Sequence, residues 1–237
     1  MFIELLREDP YSFRACSLVS PVFRRFCTPI LCRNLSLNYP VYADDFIRIG
    51  ERSNVLQHTK SFRFTSCFWT EPNKDRSHKI LDIISRKASL ETLHIRRAQF
   101  HSTYPESSVL HKLSTVTVLI LEKCHFGGFG AFTHFIGCFR LCESLQLYGS
   151  THRWVTEWCE QEETVGAFGL GHMKIKSFAY AVDDSSSMDM LKEIAACGLP
   201  EEIHVSFPEY RNYDNLGERK SSAVIIRSDL VESVHIY

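Results

Sequence analysis

The sequence lacks any apolar run approaching the ~20 residues needed to span a bilayer. Its first residues, Met1-Phe2-Ile3-Glu4-Leu5-Leu6, run straight into Arg7-Glu8-Asp9 instead of following the basic-then-apolar order of a secretory signal. It also lacks an excess of one charge: 27 Lys and Arg stand against 28 Asp and Glu, a formal net charge of −1. Nothing therefore draws the chain to nucleic acid or to an anionic membrane surface. Nine cysteines are present without a Cys-x-x-Cys pair, and the odd count argues against a disulfide framework or a zinc module. These absences point to an intracellular protein, cytoplasmic or nuclear, whose cysteines are reduced and serve as small hydrophobes. Gly127-Gly128-Phe129-Gly130 and Gly166-Ala167-Phe168-Gly169-Leu170-Gly171 carry neither a Gly-Lys-Ser/Thr loop nor the dinucleotide-binding spacing. They read as turns, and no cofactor is expected.

What is present is a repeat. A trio in which two apolar residues flank a variable one recurs as Leu35-Ser36-Leu37, Phe62-Arg63-Phe64, Leu93-His94-Ile95, Leu119-Ile120-Leu121, Leu145-Gln146-Leu147, Phe178-Ala179-Tyr180, Ile203-His204-Val205 and Val234-His235-Ile236. The trios end at 37, 64, 95, 121, 147, 180, 205 and 236, steps of 27, 31, 26, 26, 33, 25 and 31. Such a period marks stacked strand–helix units, none of which buries its apolar face alone. The expected fold class is α/β: a leucine-rich-repeat-like right-handed solenoid with a parallel sheet and outer helices, spanning residues 34–237 and preceded by a short all-α segment over residues 1–33. An ordinary α/β sheet with evenly spaced strands is the alternative.

In the first 33 residues, Phe2, Ile3, Leu5 and Leu6 give an apolar stripe that ends at Asp9-Pro10. Ser12 is placed to cap a second helix with Phe13, Cys16, Leu18 and Val19 inward. Pro21 after Ser20 opens a third, carrying Val22, Phe23, Phe26 and Cys27. An outer helix is expected over residues 41–57, with Val41, Phe46, Ile47, Ile49, Val55 and Leu56 as its apolar positions. A polar loop follows from Trp69 to Ser77, then a helical face of Ile80, Leu81, Ile83 and Ile84. Val109, Leu110 and Leu113 mark at most a short helix, and Phe132, Phe135, Ile136 and Phe139 a longer one. Residues 150–175 read as a long irregular connection and residues 208–222 as a polar loop. The final trio leaves an open parallel edge, so a C-terminal truncation or a cap supplied by a partner is expected.

The run Leu6-Arg7-Glu8-Asp9-Pro10-Tyr11-Ser12-Phe13-Arg14-Ala15-Cys16-Ser17-Leu18-Val19-Ser20-Pro21-Val22-Phe23-Arg24-Arg25-Phe26 resembles the later part of an F-box of the kind common in fungal proteins. The strands Val116-Thr117-Val118-Leu119-Ile120-Leu121 and Cys142-Glu143-Ser144-Leu145-Gln146-Leu147 resemble the leucine-rich-repeat-like domain that accompanies such F-boxes. The resemblance implies that the helices dock on a Skp-type adaptor of a cullin–RING ubiquitin ligase. Ile3, Leu6, Val19 and Phe23 match apolar adaptor-contact positions. The Leu-Pro-x-Glu opening of an F-box has no counterpart, so the resemblance implies an F-box truncated at its N-terminus. A stand-alone repeat scaffold, its helices merely capping the solenoid, is the alternative.

Alternation turns the middle residue of each trio away from the core, toward the concave side of the sheet. Ser36, Arg63, His94, Ile120, Gln146, Ala179, His204 and His235 are therefore the candidate partner-binding residues. They are chemically mixed and hold no convergent acid–base set, so a non-catalytic protein-interaction module with an unknown protein substrate is expected, without nucleic acid, membrane or metal. A Cys/His hydrolase or metalloprotein built on Cys124, His125 or His152 is the alternative from another class. Cys138 and Cys142 share a helical face with Phe135, Ile136 and Phe139 that reads as core.

Overall fold

A computed structural model describes residues 10–65, 68–69, 74–100, 107–126, 129–148, 175–181, 202–208 and 221–227. Two helices, α1 (Pro10–Val19) and α2 (Pro21–Leu31), precede strand β1 (Asn34–Asn38). There follow α3 (Ala43–Arg52), a 3-10 turn (Val55–His58), β2 (Ser61–Thr65), β3 (Phe68–Trp69), α4 (Lys74–Lys87), β4 (Thr92–Arg96) and β5 (Gln99–Phe100). Next come the short helix α5 (Ser107–Leu110) with a 3-10 turn (His111–Leu113), β6 (Val118–Glu122), β7 (His125–Phe126), α6 (Phe129–Gly137) and β8 (Ser144–Tyr148). The described strands end with β9 (Ser177–Ala181), β10 (Glu202–Pro208) and β11 (Ser221–Arg227).

The fold is α/β with a mostly parallel sheet. Eight strands lie in the order β1-β2-β4-β6-β8-β9-β10-β11, and only the β10–β11 pair is antiparallel. Seven of the eight trios sit on consecutive parallel strands in unbroken register: Leu35, Phe62, Leu93, Leu119, Leu145, Phe178 and Ile203 are successive partners. The eighth, Val234-His235-Ile236, lies outside the described residues, as does most of 150–175. The repeat also shows in the backbone just before each strand. One carbonyl accepts two successive N–H groups of the next unit, Arg33 from Lys60 and Ser61, Lys60 from Glu91 and Thr92, and so on through Glu91, Thr117 and Glu143. These acceptors step through the chain with the spacing of the trios.

The flanking residues of the trios face the helices. Phe62, Phe64, Leu93, Ile95, Leu119, Leu121, Leu145, Leu147 and Phe178 are essentially inaccessible. Against them pack Ile80, Leu81, Ile83 and Ile84 of α4, then Phe132, Phe135 and Ile136 of α6. Helix α4 forms for reasons local to its sequence: its apolar residues recur at helical spacing, Asp75 sits in its first turn, and Arg86 and Lys87 in its last. The Lys87 ammonium also closes the end of α3, donating to the Glu51 and Ser53 carbonyls at 2.9 and 3.0 Å. Gly50 lets α3 approach α4 closely: a Cβ there would lie 2.8 Å from Ile83 Cγ2.

A second sheet, β3-β5-β7, is parallel and only two residues deep. It has no trio to announce it. Phe100 and Phe126 stack across it at 4.5 Å between ring centroids, with Phe135 of α6 4.6 Å from Phe100. The chain turns from the large sheet into the small one through Arg97 and Lys123, both in the left-handed region at φ 55° and 54°. Their N–H groups donate to the carbonyls of Glu122 and Tyr148 on the next strand, each at 2.7 Å.

Several expectations need correction. The stretch from Trp69 to Ser77 is not simply a loop, since Trp69 is in β3 and α4 starts at Lys74. Both ends of the expected loop over 208–222 are strand, Pro208 closing β10 and Ser221 opening β11. Ser12 lies inside α1, because Pro10 already begins that helix. Ser20 does cap α2, its hydroxyl accepting from the Val22 N–H. Leu18 and Val19 point outward, not inward; of the third-helix set Val22, Phe23 and Phe26 are exposed and only Cys27 is buried. Val41 and Ile49 are likewise exposed, since α3 covers the sheet with Ala43, Ile47 and Gly50.

Candidate functional site

Six of the predicted open-face residues form one row through register: Ser36, Arg63, His94, Ile120, Gln146 and Ala179, with His204 continuing it. His235 lies outside the described residues. Ser36 and Arg63 are exposed, Ile120, Gln146 and Ala179 half-buried. His94 departs from the expectation of an accessible side chain, being only 9% exposed. Its neighbours on both strands close over it.

Those neighbours form a continuous polar chain. Arg63 Nε donates to His94 Nδ1 at 3.0 Å. Arginine can only donate, so Nδ1 is the acceptor and the ring hydrogen resides on Nε2. Nε2 lies 3.2 Å from Glu122 Oε2 and donates to it. Arg96 Nε stands 2.8 Å from Glu122 Oε1, an ion pair whose N–H is not aimed along a hydrogen bond. Burial, and then the Arg63 charge, hold the His94 imidazole below its ordinary pKa against the opposing pull of Glu122. His94 is thus a neutral strut between a guanidinium and a carboxylate. With both ring nitrogens engaged, neither is free to take a proton from a substrate.

On β8 the chain of contacts runs along the strand: Tyr148 hydroxyl donates to Gln146 Oε1 at 3.1 Å, and Gln146 Nε2 to Ser144 Oγ at 3.4 Å. Burial raises the Tyr148 pKa, so its phenol stays protonated. Arg96, Glu122 and Tyr148 were not singled out from sequence, although the signal was there. Each lies two residues beyond a row residue, and a strand returns to the same face every second residue.

The alternative chemistry is disfavoured by position. Cys124 is fully buried, its Sγ 3.4 Å from the Ile95 carbonyl, and burial pushes its pKa up to about 12. Cys138 and Cys142 are each pushed up to about 11 by the same cause. A thiol in that range is a poor nucleophile at neutral pH. His125 is exposed on β7, and His152 lies outside the described residues. Among the described residues no group of three or more His, Cys, Asp or Glu side chains is placed to hold a metal ion. Nor is any described helix long and apolar enough to cross a membrane.

A second candidate face lies on α1 and α2. Leu18, Val19, Val22, Phe23 and Phe26, five large apolar side chains within nine residues, are 40–78% exposed. Val19 and Phe23 are among the predicted adaptor contacts; Ile3 and Leu6 lie outside the described residues. The opposite side of α2 seals the first repeat: Cys27 is 1% exposed, and the Cys32 carbonyl accepts the Thr59 hydroxyl at 2.9 Å. No protein-family model and no curated protein matches the chain.

Proposed function

We propose that the chain is a non-catalytic, F-box-like interaction protein whose leucine-rich-repeat-like solenoid presents a protein substrate to a Skp–cullin ubiquitin ligase. The observation that carries this reading is the outward apolar side of α1 and α2. Scattered exposed hydrophobics need no explanation, but five in nine residues on a pair of helices suit a partner. Val19 and Phe23, the positions matched to F-box adaptor contacts, are among them. The solenoid part of the reading is supported by the recurring two-donor carbonyls and the unbroken register of seven trios.

The test is co-expression of the full chain with a Skp-type adaptor, followed by co-purification. The adaptor is expected to be retained by the wild type and lost from the Val19→Asp and Phe23→Asp variants. Absence of adaptor from the wild-type preparation overturns the ligase role. A second reading, a stand-alone scaffold, draws on the burial of Cys27 against the first repeat, which makes the helices a cap. On that reading no adaptor is recovered, and both aspartate variants behave as wild type.

A further inference from the structure

We infer that the sheet face around His94 binds an acidic segment of a protein partner. The inference rests on the proposed role of this face in presenting a substrate, and names the chemistry of what is presented. The first observation is a contrast in charge pairing. Several bases on the helical side have carboxylates: Lys79 pairs with Glu51, Arg76 with Asp44, and both Arg86 and Lys112 with Asp82. On the open face Glu122, the one carboxylate in reach among the described residues, is already shared between His94 and Arg96. Arg63, and Arg97 and Lys123 at the turns ending β4 and β6, have no carboxylate partner among the described residues. Among the described residues three cations therefore lack a carboxylate, Arg63 in the middle of β2 and Arg97 and Lys123 just past the ends of β4 and β6.

The second observation is that Arg63 is held in place. A flexible surface arginine loses rotamer freedom on binding an anion. Here Nε is fixed on a nearly buried His94, itself fixed on Glu122. Arg63 as a whole is exposed, and its Nη groups make no hydrogen bond within the described residues. They are a preoriented donor pair of the kind that suits a carboxylate. Strand geometry puts the Arg63 and Arg96 backbones about 8 Å apart on the same face, with the Arg96 charge already committed to Glu122. Beyond them, half-buried Ile120 offers an apolar contact and Gln146 an amide. A patch this short, on a chain with a net charge of −1, favours a peptide over a nucleic-acid backbone.

The probe is a fluorescein-labelled decaglutamate peptide titrated with the full chain at low salt, read by anisotropy. The wild type is expected to bind. Arg63→Gln retains an N–H for His94 but no charge, and is expected to weaken binding by about tenfold or more. Lys123→Ala is expected to weaken it by less, and Lys79→Ala on the helical side to leave it unchanged. A wild type that ignores decaglutamate, or an Arg63→Gln variant that binds as tightly as wild type, overturns the inference. So does tighter binding of oligothymidylate than of decaglutamate. Adaptor co-purification of Arg63→Gln is read separately. A wild type that binds decaglutamate but retains no adaptor sinks the ligase reading alone, and a wild type that retains adaptor but ignores decaglutamate sinks this one alone.

Discussion

Residues 61–148 and residues 18–26 use the same kinds of side chain in opposite ways. In the first region the apolar partners of each trio, the α4 isoleucines and the α6 phenylalanines are inaccessible. In the second, leucine, valine and phenylalanine face outward, and the fully buried residue of the helix is Cys27 just beyond them. Both segments are helical or stranded by the same local rules, down to the Ser20 cap. The difference is what stands opposite them. Strands β2, β4, β6 and β8 each have a neighbour on either side that repeats their pattern, so burial there is secured by repetition. Among the described residues the helix pair has a neighbour on one side only.

The largest way to break that contrast is to remove Phe135, which touches Phe100, Phe126 and Phe139 and is fully buried. Phe135→Ala is expected to cost roughly 3–5 kcal/mol, with the cavity adding to the lost transfer energy. The loss is read as a drop in the urea midpoint, and a cost below about 1 kcal/mol would mean that α6 is not seated on the sheet. Gly50→Ala probes the seam between two helices. Alanine is the better helix former, but its Cβ would meet Ile83 Cγ2 at 2.8 Å, on a side chain that is itself fully buried. We expect net destabilisation of about 1–3 kcal/mol, and unchanged or raised stability would show that α3 can shift.

These two sites also mark how much was legible beforehand. The trios predicted the order and direction of seven strands and the core face of six, because a period of two written on a repeat near 25–33 leaves little freedom. The row from Ser36 to His204 followed from the same alternation. Gly50 carried no signal, since a close approach between α3 and α4 is set by their crossing and not by either helix alone. The small sheet β3-β5-β7 was missed because two residues are too few to show a period. The inward orientation assigned to Leu18 and Val19 failed for a related reason. Periodicity identifies an apolar side but does not say whether this chain or another covers it. The polar chain through His94 needed residues on three strands, Arg63, His94 and Glu122, brought together only by register.

Smaller effects sharpen the comparison within the sheet. Lys123 holds φ 54° at the turn into the small sheet, a conformation that costs a non-glycine residue about 1–2 kcal/mol. Lys123→Gly relieves that cost but frees the unfolded chain, so a net gain of about 1 kcal/mol or less is expected, read by thermal melting. A clear loss would show that the lysine side chain, not the turn, is what matters there. His94 supplies a pH dependence. Its folded pKa is depressed, so the unfolded state binds the extra proton, and stability is fully present above the ordinary histidine range near 6.5. It is lost as pH falls through that range toward the folded value. The groups facing it are Arg63, Glu122 and Arg96. Urea midpoints for wild type should fall more steeply with acidification than for His94→Gln, and parallel curves would mean that the ring is solvated.

The smallest expected effect on stability is the most informative about purpose. Val19→Asp and Val22→Asp alter side chains that are 78% and 62% exposed and touch no core. Surface substitutions of this kind stay within about 0.5 kcal/mol, in contrast to Phe135→Ala in the other region. If those valines instead packed against another part of this chain, a buried carboxylate would make each variant far more costly, and the melting temperature would fall with it. An unchanged melting temperature together with lost adaptor retention would assign the outward side to a partner. The two regions would then differ not in how they fold but in which molecule completes them.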